Sequence, residues 1–353
     1  MAGQLDDLKF IHQLDTEDAL GLASKQWQQL EHDYSFSVPS DRGEIANIVH
    51  SGMGGSALWA LLSMSWPGYT RPFEVVRGYD IPAYVDGKTL FIASSYSGNT
   101  EETLSTLAAA EKVGAQIAVI TSGGKLFDIA REKGYTLIEL PKIDKPRYGA
   151  LYGLKGLLQL CEKLGLLASP GASAELAGVA MFLGRSVAEW VADVPTSQNL
   201  AKQLALELAG TSPVIYGGPL LAQAAHKWKI SFNENAKNVA WEYAFPEFNH
   251  NEFTGWTSHP VEKPYSVIYL QSSFDNDRIK KRFDLSDKLL SGRWPSPHRV
   301  NAVGETKVQQ LLWAVALGDF VSMYVGFLNG TTPIDTGDKD IIEKFKKELG
   351  PNG

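Results

Sequence analysis

The 353-residue chain has one cysteine, Cys161, so no intramolecular disulfide can form within it, and a reducing compartment suits it. Cys161 lies in the apolar helical run 157–166 and reads as a buried structural thiol. Positive charge is scarce too. Against 40 Asp and Glu there are 33 Lys and Arg, a net charge of −7, with no basic excess to neutralise the phosphates of a nucleic acid. A small anionic substrate is not excluded, because it needs only a local site. The start, Met-Ala-Gly-Gln-Leu-Asp-Asp, lacks the basic and apolar regions of a signal peptide. The longest apolar stretch, near 311–328, is broken by Gly318 and Asp319. The expectation is a soluble, cytoplasmic protein without nucleic-acid or membrane partners.

The length suits two domains of roughly 150 residues each. The stretch 89–103 organises the first. It opens with a short apolar run suited to a buried strand and continues as Ser95-Tyr-Ser-Gly-Asn-Thr100 into a helix from about Glu101. Such a turn aims backbone N–H groups, the positive end of a helix and several hydroxyls at one point, which is a cradle for phosphate. The bland alternative is an N-cap turn in which Thr100 and Ser97 serve only their own helix. A second unit of this kind precedes it: a strand over 45–51, then Gly52-Met-Gly-Gly-Ser56, then a helix. Further strands at 72–77, 115–121 and 135–140, with helices at 101–113 and 124–133, imply a parallel, doubly wound sheet of the flavodoxin-like kind. In its 2-1-3-4-5 strand order, ligands bind between the first and third strands. Those two strands carry the two Gly- and Ser-rich turns, which favours the anion over the capping reading.

A helix is expected over 16–34, before the sheet. The cluster Ser169-Pro-Gly-Ala-Ser173 marks a boundary. Beyond it come helices at 174–191 and 198–209, then strands at 213–216, 239–244, 265–271 and 299–303 with helices at 219–236, 277–290 and 305–328. The second half repeats the first in kind, but lacks a Ser-x-Ser-Gly-Asn-Thr turn, so its own anion site is expected to be lost. The expected division is 1–168, 169–330 and a charged tail at 331–353 that closes on the active site.

Gly52-Met-Gly-Gly-Ser56, Ser94-Ser-Tyr-Ser-Gly-Asn-Thr-Glu-Glu102, Pro146-Arg-Tyr-Gly149, Asn233-Glu-Asn-Ala-Lys237 and Glu247-Phe-Asn-His-Asn-Glu252 together resemble the sugar isomerase (SIS) domain proteins. Within that group the chain looks most like the bifunctional phosphoglucose/phosphomannose isomerases, over nearly its whole length. The resemblance implies two α/β SIS domains, a phosphosugar substrate, no cofactor and no metal. It assigns Gly54, Gly55, Ser56, Ser95, Ser97 and Thr100 to the 6-phosphate. It makes Arg147 the arginine over the C1–C2 region, Glu234 the base and His250 the ring opener. A tail lysine that assists ring opening is matched to Lys339, with Lys346 and Lys347 as alternatives. Thr332 is implied in tolerance of either configuration at C2. The family's histidine comes from the neighbouring subunit, so a homodimer is implied.

The chemistry of an aldose–ketose isomerase accounts for these residue types. One carboxylate can carry the proton between C2 and C1 through a cis-enediol. Trp228 and Phe232, close to Glu234 in sequence, suggest an apolar setting that raises its pKa. A guanidinium stabilises charge that exists only on the reaction path. A histidine moves the O1 and O5 protons near neutral pH. Glu247, His250 and Glu252 lack the helical i, i+4 spacing of metal ligands. Two rivals are a non-enzymatic phosphosugar-binding SIS regulator, which needs a basic recognition helix, and an aminosugar enzyme with an amidotransferase domain, which needs a nucleophilic cysteine near the N-terminus. Neither feature is evident.

Overall fold

The computed structural model describes residues 2–40, 43–258, 264–335 and 340–350. It divides into two compact units, the first over residues 26–180 with the C-terminal segment, the second over 1–25 and 181–336.

The first unit is built on strands β1 (Asn47–Ser51), β2 (Phe73–Val76), β3 (Thr89–Ser94), β4 (Gln116–Thr121) and β5 (Thr136–Glu139), all parallel, in the order β2-β1-β3-β4-β5. This is the expected 2-1-3-4-5 order. Every residue of β3 is buried, because helices cover both faces of a parallel sheet and leave no strand face for polar residues. On one face Val49, Phe91 and Val119 meet Leu107 and Ala110 of the helix Glu101–Lys112 and Leu126 and Ala130 of the helix Gly124–Lys133. The helices Gly54–Ser65 and Ala150–Lys163 pack on one another, and Cys161 is fully buried within the latter, its thiol pushed far toward the neutral form by burial.

The second unit carries β6 (Ser212–Gly217), β7 (Trp241–Ala244), β8 (Tyr265–Gln271) and β9 (His298–Asn301), parallel, in the order β7-β6-β8-β9. Among the described residues it has no counterpart to β5. Its core helix, Lys307–Leu328, starts in a capping box formed by Thr306 and Gln309. That helix is long and apolar enough to cross a membrane, but it is buried against the helices Ala19–Lys25, Leu200–Leu208 and Ala222–Asn235. Asp319 is tolerated there because Lys227 Nζ pairs with it and Ser231 Oγ donates to it at 2.8 Å. The N-terminal residues belong with this unit: Asp6 accepts from Thr196 N–H at 2.8 Å and pairs with the buried Lys202 at 3.3 Å.

The helix expected over 16–34 is shorter. It runs over Ala19–Lys25, where Asp15 accepts from Ala19 and Leu20 N–H, and continues as a 3-10 turn, Gln26–Glu31. The change falls where the chain passes from one unit to the other. The helix Leu8–Leu14, capped by Asp7, has no counterpart in the sequence reading.

The Gly-Gly turn at the end of β6 is packed against a side chain of its own unit. A Cβ on Gly218 would lie 2.3 Å from a carboxylate oxygen of Asp275. That buried carboxyl group accepts from Ser272 N–H at 3.2 Å and from Leu220 N–H. Burial pushes the Asp275 carboxyl up, and these two N–H groups oppose the shift.

Candidate active site

At the carboxyl end of β1 the chain turns through Gly52 and Met53 into the helix Gly54–Ser65, whose N-cap, Met53, gives no side-chain hydrogen bond. Gly54 and Gly55 are exposed, and a Cβ on either would meet nothing within 4 Å, so open space lies over this N-terminus. At the end of β3 the second turn leads into the helix Glu101–Lys112, whose N-cap, Thr100, likewise gives no side-chain cap. The capping reading therefore fails for Thr100: its hydroxyl lies 2.7 Å from Ser95 Oγ instead. Ser95 Oγ also accepts from Gly98 N–H at 3.1 Å and lies 3.4 Å from Ser97 Oγ. Gly98 has φ +72°, and a Cβ there would fall 1.7 Å from Gly123 O, so only glycine closes this turn.

The two turns are joined. Ser56 Oγ accepts from Tyr96 N–H at 3.0 Å, and Ser56 O accepts from the fully buried His50 at 3.1 Å. Burial lowers the His50 pKa to about 4, so the ring is neutral at pH 7 with its Nε2–H on Ser56 O. Asn99 Oδ1 accepts from Lys125 N–H at 3.1 Å and ties the second turn to the next helix. Within this unit the structure thus brings Gly54, Gly55, Ser56, Ser95, Ser97 and Thr100 to neighbouring strand ends, with two helix N-termini and no Lys or Arg among the six. Backbone N–H and hydroxyl donors at such termini hold a phosphate without a cationic side chain.

Arg147 lies in the 3-10 turn Pro146–Tyr148, half-buried, in the same unit. Tyr96 links that loop to the phosphate turn. Its hydroxyl donates to Pro141 O and accepts from Ile143 N–H at 3.0 Å, and its ring lies so close to Gly149 that a Cβ there would approach within 3.0 Å. Behind the turn, Gln29 Nε2 donates to Tyr148 O at 2.6 Å. Tyr96 and Gln29 are residues the sequence analysis missed. Tyr96 stands inside the motif, but nothing in the pattern says that its hydroxyl crosses to residues 141–143.

Glu234, Thr332 and His250 lie in the second unit. Glu234 is half-buried at the last turn of the helix Ala222–Asn235. Trp228 and Phe232 are fully buried, and the Trp228 indole donates to Ala314 O at 2.7 Å on the helix Lys307–Leu328. A helix turns about 200° between Phe232 and Glu234, so those rings face the core and do not form the apolar setting expected around the carboxylate. Thr332 is half-buried in the segment after the core helix. His250 ends the 3-10 turn Glu247–His250 with an exposed ring. Of its acidic neighbours, Glu247 accepts from Asn251 at 2.9 Å, whereas Glu252 accepts from the Tyr216 hydroxyl and is raised in pKa by burial. Among the described residues no group of three His, Cys, Asp or Glu is arranged to hold a metal ion. Lys339 lies outside the described residues; Lys346 and Lys347 are in the exposed helix Ile341–Leu349.

Residues 197–349 match the family model described as the bacterial phospho-glucose isomerase C-terminal SIS domain. The chain is 33% identical to a bifunctional phosphoglucose/phosphomannose isomerase of Caldicellulosiruptor bescii, over 94% of this chain and 99% of that protein. It is 32% identical to one of Aquifex aeolicus, over 88% and 93%. A Sulfolobus acidocaldarius protein named D-glucosamine-6-phosphate 4-epimerase is 30% identical over 71% of this chain and 77% of that protein. Among solved structures, a glucose-6-phosphate isomerase like protein from Thermus thermophilus shares the fold, with TM-score 0.64 and 19% identity over 98% and 99% of the two chains. With the strand order, the two joined turns and this similarity along nearly the whole chain, the protein belongs to the bifunctional phosphoglucose/phosphomannose isomerase family.

Proposed function

We propose that this protein interconverts glucose 6-phosphate or mannose 6-phosphate with fructose 6-phosphate by ring opening and a cis-enediol intermediate. The observation that carries this reading is the convergence of two uncapped helix N-termini and the hydroxyls of Ser95, Ser97 and Thr100 at the β1/β3 switch point. One phosphate suits that place, and the family membership says which phosphate esters to test first. Gly54, Gly55, Ser56, Ser95, Ser97 and Thr100 hold the 6-phosphate. Glu234 carries the proton between C2 and C1, and Arg147 stabilises the enediolate. His250 opens the ring with help from Lys339, and Thr332 tolerates either C2 configuration.

The exposure of His250 supports its use in a partner's site and hence a homodimer. As sequence repeats, 1–168 and 169–330 are assigned as the two SIS domains and 331–353 as the tail, with residues 1–25 packing on the second unit. Neither a metal nor a cofactor has a role in this mechanism. The test is a coupled assay on fructose 6-phosphate that reads glucose 6-phosphate and mannose 6-phosphate separately. Both products should form. Phosphosugar binding without turnover would favour a non-enzymatic sensor, and inversion at C4 of glucosamine 6-phosphate without isomerisation would favour the epimerase relative's chemistry.

A further inference from the structure

We propose that Lys237 is a positioning residue for this reaction, one that clamps the end of the Glu234 helix to the segment carrying Thr332 and thereby sets the balance between the two aldose products. This rests on the roles of Glu234 and Thr332 given above.

Lys237 Nζ donates to Glu234 O at 2.9 Å, to Thr332 O at 2.7 Å and to Pro333 O at 3.2 Å, and pairs with Asp335 at 3.1 Å. An ammonium has three hydrogens, and among the described residues four acceptors from two separate chain segments surround it. The carbonyls of the base and of the C2-tolerance residue therefore share one cation. Charge-assisted bonds of this kind are about twice as strong as neutral ones, so the ammonium fixes the spacing of the two backbones rather than following it.

The backbone at this position gives independent support. Lys237 follows the C-cap residue Ala236 and has φ +50°, the left-handed conformation that glycine usually supplies at a helix end. A residue with a Cβ is disfavoured there. The chain carries that local cost at Lys237, and the side chain it gains reaches both segments. Asn329 Nδ2 donates to Ala236 O at 3.3 Å and holds the same helix end to the end of the core helix, so the clamp acts on an otherwise fixed frame.

The test compares Lys237→Gly, Lys237→Met and Lys237→Arg with the wild-type protein. Lys237→Gly suits the backbone and removes the ammonium, so it should fold even if Lys237→Met does not. From fructose 6-phosphate, the ratio of the initial rates of glucose 6-phosphate and mannose 6-phosphate formation should shift about threefold or more in the Gly variant, and kcat should fall about tenfold with KM within about twofold. Lys237→Arg should recover part of both. Hydrogen exchange of the backbone amides at 332 and 334–335 should quicken in Lys237→Gly. A purely structural lysine would lower both products together and leave their ratio unchanged. An unchanged ratio in a folded Lys237→Gly protein overturns the proposal alone. A wild-type protein that isomerises neither sugar overturns the functional reading, and the exchange measurement then decides the clamp by itself: unchanged exchange refutes it.

Discussion

Tyr96→Phe tests whether the phosphate turn and the Arg147 loop act as one piece. The substitution keeps the ring against Gly149 and the backbone bonds to Ser56 and Ser122, and removes only the hydroxyl. That hydroxyl donates to Pro141 O and accepts from Ile143 N–H, so two backbone groups of the loop lose their partner at once. At about 0.5–1.5 kcal/mol for each bond, and with water reaching part of the site, the expected loss is about 1.5–2 kcal/mol. For a unit of this size that is a fall in Tm of about 3–8 °C in calorimetry. Freed from Tyr96, the loop should hold Arg147 less well over the reacting carbons. Steady-state kinetics should therefore show kcat lower by about tenfold, with KM within about twofold because the phosphate donors are intact. A loss below about 0.5 kcal/mol with kcat unchanged would refute the coupling.

Ser97→Ala and Thr100→Ala should raise KM for the phosphosugars more than they lower kcat, and unphosphorylated glucose should be a very poor substrate; similar efficiency on glucose and glucose 6-phosphate would overturn the cradle. His50 makes stability pH-dependent. Its folded pKa, about 4, lies below the unfolded value near 6.5, so the unfolded chain binds the extra proton between those values, and stability is full above pH 6.5 and lost as pH falls toward 4. The group contributes about 3 kcal/mol over that window, and a pH series of urea melts on wild type and His50→Gln should differ by that slope; parallel curves would contradict it. Dialysis against a strong chelator should leave activity intact, and a loss restored by zinc would revive His250 and Glu247 as ligands.

The parallel sheet was legible because strand and helix periods alternate plainly from residue 45 to 140, and the meeting of the two Gly- and Ser-rich turns followed from the strand order. The boundary near the N-terminus was not. Asp6 and Lys202 meet across 196 residues of sequence, and a local pattern carries no sign of such a pairing. The setting of Glu234 was misread for a related reason: nearness in sequence to Trp228 and Phe232 says nothing of which side of a helix each residue faces. Tyr96 and Lys237 lay inside recognised motifs, yet their partners at 141–143 and 332–335 are visible only once the chain is folded. Asp275, whose carboxyl group packs against Gly218, gave no signal in the sequence.

In the proposed mechanism Glu234 moves the proton of an enediol while His250 serves only ring opening. This division is tested most directly by following solvent-deuterium incorporation at C2 by NMR during turnover in D2O. Wild type should incorporate label as it isomerises. Glu234→Gln should lose exchange and isomerisation together, by at least the ~10²–10⁴-fold typical of a general base. His250→Ala should retain slow turnover and still exchange the C2 proton of the open-chain sugar that forms in solution. Near-normal exchange in Glu234→Gln, or none on an open-chain analogue in His250→Ala, would contradict the account.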